Sequence, residues 1–143
     1  MDPSDETYAR LLKIRTGMRH FERWSEQQAK AAGLTTAHHQ LLLAIRGHDD
    51  PRGPTVGEIA DYLLLRHHSV VGLIDRAESL GLICRARCDD DRRVVRLSLS
   101  REGAGRLEAL SMLHLEELKR LGAHFSEVSV GLMSEQRHHG LVK

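Results

Sequence analysis

Thr55-Val56-Gly57-Glu58-Ile59-Ala60-Asp61-Tyr62-Leu63, then Ser69-Val70-Val71-Gly72-Leu73-Ile74-Asp75-Arg76-Ala77-Glu78, then Gly81-Leu82-Ile83, is the stretch that decides the fold of this chain. In the first run Val56, Ile59, Ala60 and Leu63 fall at i, i+3, i+4 and i+7, one face of a helix. Thr55 precedes it as an N-cap, and Glu58 three residues on completes a capping box. In the second run Val70, Leu73, Ile74 and Ala77 repeat the spacing over a helix of about residues 66–80, and Gly81 is its stop signal. Leu82–Cys88 and Val94–Ser100 then flank the polar turn Asp89–Arg93 and read as a β-hairpin. Helix, turn, helix and an arginine-tipped hairpin suit DNA. The second helix can enter the major groove while the hairpin reaches along the backbone.

Outward from this stretch, the pattern is helical on both sides. Tyr8, Leu11, Ile14, Met18 and Phe21 form an apolar stripe on a first helix expected over Asp5–Ala32, ended by Gly33. Thr35 caps a second helix whose Leu41, Leu42 and Ile45 face inward, and residues 47–54 are a loop by their Gly, Asp and Pro content. Ser100 or Arg101 opens a long helix carrying Leu107, Leu110, His114, Leu118 and Leu121. Gly122 is expected to break it, 128–131 has β character, and Ser134–Lys143 reads as a loose tail. The fold class is mainly α with a small β-hairpin wing (α+β). A single domain is expected over 1–143, with a winged helix-turn-helix lobe at about 34–100 and flanking helices at about 5–32 and 101–125.

These motifs resemble the MarR family of winged helix-turn-helix transcriptional regulators. The wing carries the most specific part: Asp91-Arg92-Arg93 followed by Leu97, Leu99, Ser100 and Gly103 is similar to the family's D-x-R…L-x-L-[ST]-x-x-G pattern. Leu34-Thr35 with Leu42 and Ile45 resembles the start of the family's second helix, and the likeness spans roughly residues 8–121. The resemblance implies a two-fold homodimer built from the terminal helices, binding a palindromic operator in double-stranded DNA. Physical chemistry points the same way, because an amphipathic helix at each end must bury its stripe somewhere. The chain departs from the family where a Ser or Thr is usual near Val71 and a basic residue near Gly72.

The expected DNA contacts are His67, His68, Ser69, Gly72 and Arg76 on the second helix of the motif and Arg85, Arg87, Arg92 and Arg93 on the wing. Gly72 costs its helix about 1 kcal/mol relative to Ala, which suits close approach to DNA. Arg93 suits a narrow minor groove, with Asp91 two residues earlier to hold it or a neighbour in place. Between Arg85 and Arg96 five arginines stand against three aspartates, although the whole chain carries a net charge of only +1. Asp89-Asp90-Asp91 lacks the spacing and glycine of a Ca²⁺ loop. The resemblance further implies a repressor released by a small anionic or phenolic effector. Arg19, His20, Arg23 and Trp24 at the end of the first helix, with His38 and His39 opening the second, are the residues that could receive it.

At 143 residues, 29% charged and 41% apolar, the chain fits a soluble globular domain. No apolar run is long enough to cross a membrane, and the acidic, polar start lacks a signal-peptide pattern, so a cytoplasmic protein is expected. Cys84 and Cys88 alternate with Arg85 and Arg87 and read as two small buried residues. The ten histidines contain no H-x-x-x-H, so no metal or other cofactor is expected. No nucleophile elbow, phosphate loop or paired-carboxylate motif is present, and the chain does not read as an enzyme. The alternatives are a winged helix that binds protein, or a metal- or redox-responsive regulator using its His and Cys residues, with His20, His38, His39 and His114 as the metal set.

Overall fold

The computed structural model describes residues 2–140, with side chains described as far as residue 131. Its elements are α1 (Asp5–Ala31), α2 (Thr36–Gly47), α3 (Val56–Leu63), α4 (His67–Ser79), β1 (Ile83–Arg87), β2 (Val95–Leu99) and α5 (Arg101–Gly140). No helix among the described residues is long and apolar enough to cross a membrane. The chain divides into two compact units. One comprises residues 28–111; the other pairs residues up to 27 with those from 112 onward.

The 28–111 unit is the winged helix-turn-helix. Its core is aliphatic, with Leu41 and Leu42 of α2, Ile59 of α3, Ile74 of α4, Leu82 and Leu97 all essentially inaccessible to solvent. The inward positions expected on α4, namely Val70, Leu73, Ile74 and Ala77, are its four buried residues. Local chemistry sets the helix starts. Thr35 Oγ1 accepts the His38 N–H at 3.0 Å, and Thr55 and Glu58 form the full capping box at α3. Ser100 opens α5, its Oγ accepting the Gly103 N–H at 3.0 Å while its own hydroxyl donates to the Gly81 carbonyl at 2.6 Å.

The wing is a two-stranded antiparallel hairpin in the register Ile83↔Leu99, Arg85↔Leu97 and Arg87↔Val95. Its root is fastened by a third segment. The Leu97 N–H donates to the Pro54 carbonyl at 2.9 Å, and Thr55 bridges Arg96. Gly53 makes this possible: its φ is +90°, and a Cβ there would stand 2.0 Å from the Leu97 carbonyl oxygen.

In the other unit α1 and α5 pack side by side. Phe21, Trp24 and His114 form one aromatic cluster, with Trp24 and His114 centroids 4.9 Å apart, and Ser25 Oγ and His114 Nε2 share a hydrogen bond at 2.7 Å. Gly17 admits the Phe125 ring, since a Cβ would lie 2.9 Å from it. No described residue of this unit is fully buried, and Tyr8, Leu12, Met112, Leu115 and Val130 are all more than half exposed.

Two expectations are corrected. α5 passes through Gly122 and continues to Gly140, so neither the break, nor the β character at 128–131, nor the loose tail over 134–140 is observed; 141–143 lie outside the described residues. One glycine costs a helix about 1 kcal/mol, and His114, Leu118, Leu121, Phe125 and Val128 keep helical spacing across it. The cysteines are not a buried pair: Cys84 is exposed and Cys88 half-buried. The hairpin projects past the core, and on β1 only Ile83 at its root is buried.

Replacing Gly53 with alanine is expected to destabilise the lobe by at least about 1–3 kcal/mol, from the strained backbone alone. A urea or thermal melt checks this, and an unchanged midpoint would mean that the contact with Leu97 is not a constraint.

Candidate nucleic-acid interface

α2 and α3 cap their own N-termini, but α4 does not: Arg66 occupies its N-cap position and makes no side-chain cap hydrogen bond. The first turn contains no acidic residue and begins with His67, His68 and Ser69, all exposed. A helix N-terminus carries a partial positive charge and unsatisfied N–H donors. Imidazoles there gain nothing from the helix, and an anion such as a phosphate would satisfy both features.

Further along α4, Gly72 is partly buried and Arg76 is exposed; a Cβ on Gly72 would lie 3.4 Å from Arg76 Nη1. Arg76 therefore lies along its own helix over Gly72. The glycine, expected as a point of close approach to DNA, first accommodates that guanidinium. The Arg76 charge is also felt by buried His38, whose pKa is lowered chiefly by desolvation and secondarily by Arg76.

The wing arginines separate into two groups. Arg85, expected as a phosphate contact, is bonded to Asp75 of α4, with its Nε 3.3 Å from Glu78. That ties the wing to α4 and takes Arg85 out of the freely available set. Arg96 is likewise internal: it donates to the Gly53 carbonyl at 2.9 Å and to Cys88 Sγ at 3.3 Å. Arg87 steadies the tip, its Nη1 donating to the Arg92 carbonyl at 2.8 Å. Arg92 and Arg93 are exposed, and the Arg93 side chain is 91% accessible. Asp91 holds Arg93 as expected, accepting from its backbone N–H at 3.0 Å and from Nε and Nη2 at 3.1 Å each. The candidate residues left exposed in this lobe are thus those of the first turn of α4 and the Arg92–Arg93 tip.

Residues 32–94 match the profile of the MarR family. Over these residues the winged helix-turn-helix is similar to that of the MarR family. Among solved structures, the MepR–DNA complex from S. aureus is 22% identical, covering 94% of this chain and 96% of that one at a TM-score of 0.70. AbsC from Streptomyces coelicolor, a MarR family transcriptional regulator, is 17% identical, covering 96% and 97% at 0.71. A variant of MarR from E. coli is 21% identical, covering 90% and 93% at 0.67. At these identities the likeness is one of fold. No curated protein sequence matches the chain.

Behind the wing lies a polar network that the sequence reading missed. Arg52 binds Asp50 through Nη2 at 2.8 Å, and Arg96 Nη1 stands 3.6 Å from the same carboxylate. His48, its side chain buried, is hydrogen-bonded through Nδ1 to the Tyr62 hydroxyl at 2.8 Å, with Nε2 3.1 Å from Glu58. The available signal was Asp50-Pro51-Arg52-Gly53, a turn whose first carboxylate can bond two residues ahead. Of the residues expected to receive an effector, Arg19, His20 and Arg23 are exposed on α1 and Trp24 is in the aromatic cluster, all in one unit. His38 and His39 belong to the other unit and are buried, so they do not offer a ligand-facing surface there. Among the described residues no three His, Cys, Asp or Glu side chains are grouped to hold a metal ion.

Three carboxylates at the wing and its root have lowered pKa values. Arg52 hydrogen bonding lowers Asp50, the Thr55 N–H lowers Glu58, and Arg93 lowers Asp91. A carboxylate depressed on folding contributes stability that is fully present above its unfolded pKa, about 4, and is lost as pH falls through the lower folded value. The contribution of these groups to the melting temperature is therefore expected to be complete and independent of pH above about pH 5, and the melting temperature to fall below about pH 4. Asp50→Asn should flatten that acid limb in a pH series of thermal melts; an identical limb in the variant would exclude Asp50 as a contributor.

Proposed function

We propose that this protein is a MarR-family, sequence-specific regulator of transcription that binds double-stranded DNA as a homodimer. The observation that carries the reading is the first turn of α4: an uncapped helix start with three exposed polar residues, in the same lobe as a wing tip of two exposed arginines. His67, His68 and Ser69 are positioned to meet base edges and phosphates in a major groove, and Arg92 and Arg93 to reach the adjoining backbone or minor groove. The solved MepR–DNA complex supports this use of the fold. The dimer is supported by the α1–α5 unit, whose apolar side chains are left uncovered by the single chain. Two recognition helices about one DNA turn apart would read a palindromic operator.

The mode of action we infer is repression in the cytoplasm by occluding a promoter, relieved by a small anionic or phenolic ligand. Arg19, His20 and Arg23 supply cations beside Trp24 for such a ligand. A ligand need favour one spacing of the recognition helices by only a few kcal/mol to release DNA.

Mobility shift on the upstream DNA across a salt series tests the core of the proposal, since phosphate contacts weaken steeply as salt rises. Salt-independent binding, or none, together with a monomer at micromolar concentration, would sink it. Arg93→Ala is expected to cost about 1–3 kcal/mol of DNA affinity at an unchanged melting temperature. Arg85→Ala should instead lower the melting temperature, because its partners are Asp75 and Glu78 within the lobe. A single-tryptophan titration with salicylate-like compounds checks the effector: emission should change as DNA is released, and millimolar ligand with neither effect would remove it.

A further inference from the structure

Three helices of the DNA-binding lobe end in the same way, and one of them uses the wrong residue. At the end of α1 the Leu34 N–H donates to the Ala29 carbonyl at 2.9 Å, with Gly33 at φ +76°. At the end of α4 the Leu82 N–H donates to the Ala77 carbonyl at 3.0 Å, with Gly81 at φ +73°. At the end of α3 the Leu65 N–H donates to the Ala60 carbonyl at 3.1 Å, and the left-handed position is Leu64, φ 54° and ψ 41°. This closure strongly favours glycine, because a side chain in the left-handed region meets the backbone. Leu64 is the one non-glycine residue with positive φ among the described residues.

Packing does not explain the leucine. Its side chain is 91% exposed. In the two glycine closures the following leucine is buried, Leu34 at 4% and Leu82 at 0% accessible, whereas Leu65 is 41% accessible. The α3–α4 turn thus presents two adjacent leucines to solvent, one of them on strained backbone, with Arg66, His67 and His68 immediately after them. A scattered exposed leucine needs no explanation. An exposed leucine on a backbone that disfavours it, next to the uncapped start of α4, does, and observed strain of this kind argues for function.

We propose that Leu64 is a specificity-determining contact that reads thymine 5-methyl groups at the edge of the major groove; this rests on the DNA-binding reading given above. Thymine is the base that offers an apolar group in that groove. The cationic Arg66 and the imidazoles that follow complement the flanking phosphates, which makes DNA the partner whose chemistry fits both halves of the turn.

The test uses the full-length protein and a duplex selected by it from a random pool, compared by fluorescence anisotropy with the same duplex carrying uracil for thymine. The wild type is expected to bind the uracil duplex about fourfold more weakly for each methyl that Leu64 covers. Leu64→Gly and Leu64→Ala should both lose that part of the difference. Only Leu64→Gly should also melt higher than the wild type, by about 2–4 °C, because it alone relieves the backbone. Equal binding of the two duplexes by the wild type, or the same thymine preference in both variants, overturns the proposal. A Leu64→Gly melting point below that of the wild type overturns the argument from strain. If selection enriches no sequence at all, the DNA-binding reading itself fails, a result distinct from a wild type that selects DNA but ignores the methyl groups.

Discussion

The winged lobe depends on one close contact, the seating of Leu97 against Gly53 and Pro54. A two-stranded hairpin is marginal by itself, and this one projects beyond the core. The Leu97 N–H bond to the Pro54 carbonyl gives it part of a third strand, and Leu97 is itself buried beneath. Because Thr55 directly follows as the cap of α3, the same few residues fix the start of the helix-turn-helix and the root of the wing. Arg96 reinforces the joint from the strand side by donating to the Gly53 carbonyl. Wing and helices therefore move as neighbours in one lobe, which two-point recognition of DNA requires.

Charge is allocated around that joint with a clear division. Arg52, Arg85 and Arg96 are engaged by carboxylates or carbonyls of the lobe, whereas Arg92 and Arg93 extend outward at the tip. An exposed ion pair contributes little to stability, so the Asp91–Arg93 pair is better understood as orienting a guanidinium than as holding the turn. Arg85 is different. It connects β1 to two acidic residues of α4, Asp75 and Glu78, and offsets their charge within the lobe.

The lobe was legible in the sequence because its signals are local. Capping residues, 3.6-residue periodicity and Gly81 act within a few positions of the structure they specify, and α3, α4 and the hairpin follow them closely. What escaped depends on distant partners. Nothing near Arg85 in the chain reveals that Asp75 and Glu78 face it, and the strand alternation that seemed to bury Cys84 and Cys88 carries no information about how far the core extends beneath a hairpin. The reading of α5 failed for a related reason: Gly122 was weighed as a local stop, while the apolar stripe on either side of it continues in phase. Of the candidate site, the exposed residues of α4 and the wing tip were legible, and the polar network around His48, Asp50 and Arg52 was not, since it joins the 47–54 loop to α3 and β2.

The positions where the lobe breaks its own local rules lie close together. Leu64 stands where its two counterparts are glycine, Arg66 stands at a helix start where α2 and α3 have threonine caps, and His67 and His68 occupy a first turn that favours acidic residues. Each of these choices lowers the stability of the isolated lobe, and they fall within five consecutive residues. A sequence that otherwise agrees with its fold at every level tolerates such a cluster where function requires it. Each departure is also one that DNA could offset: phosphate for the uncapped N–H groups and the imidazoles, and an apolar base edge for the leucine. On the proposed reading, the stability lost at this turn in the free protein would be recovered in a DNA complex, where the residues least suited to the unbound fold would make the contacts.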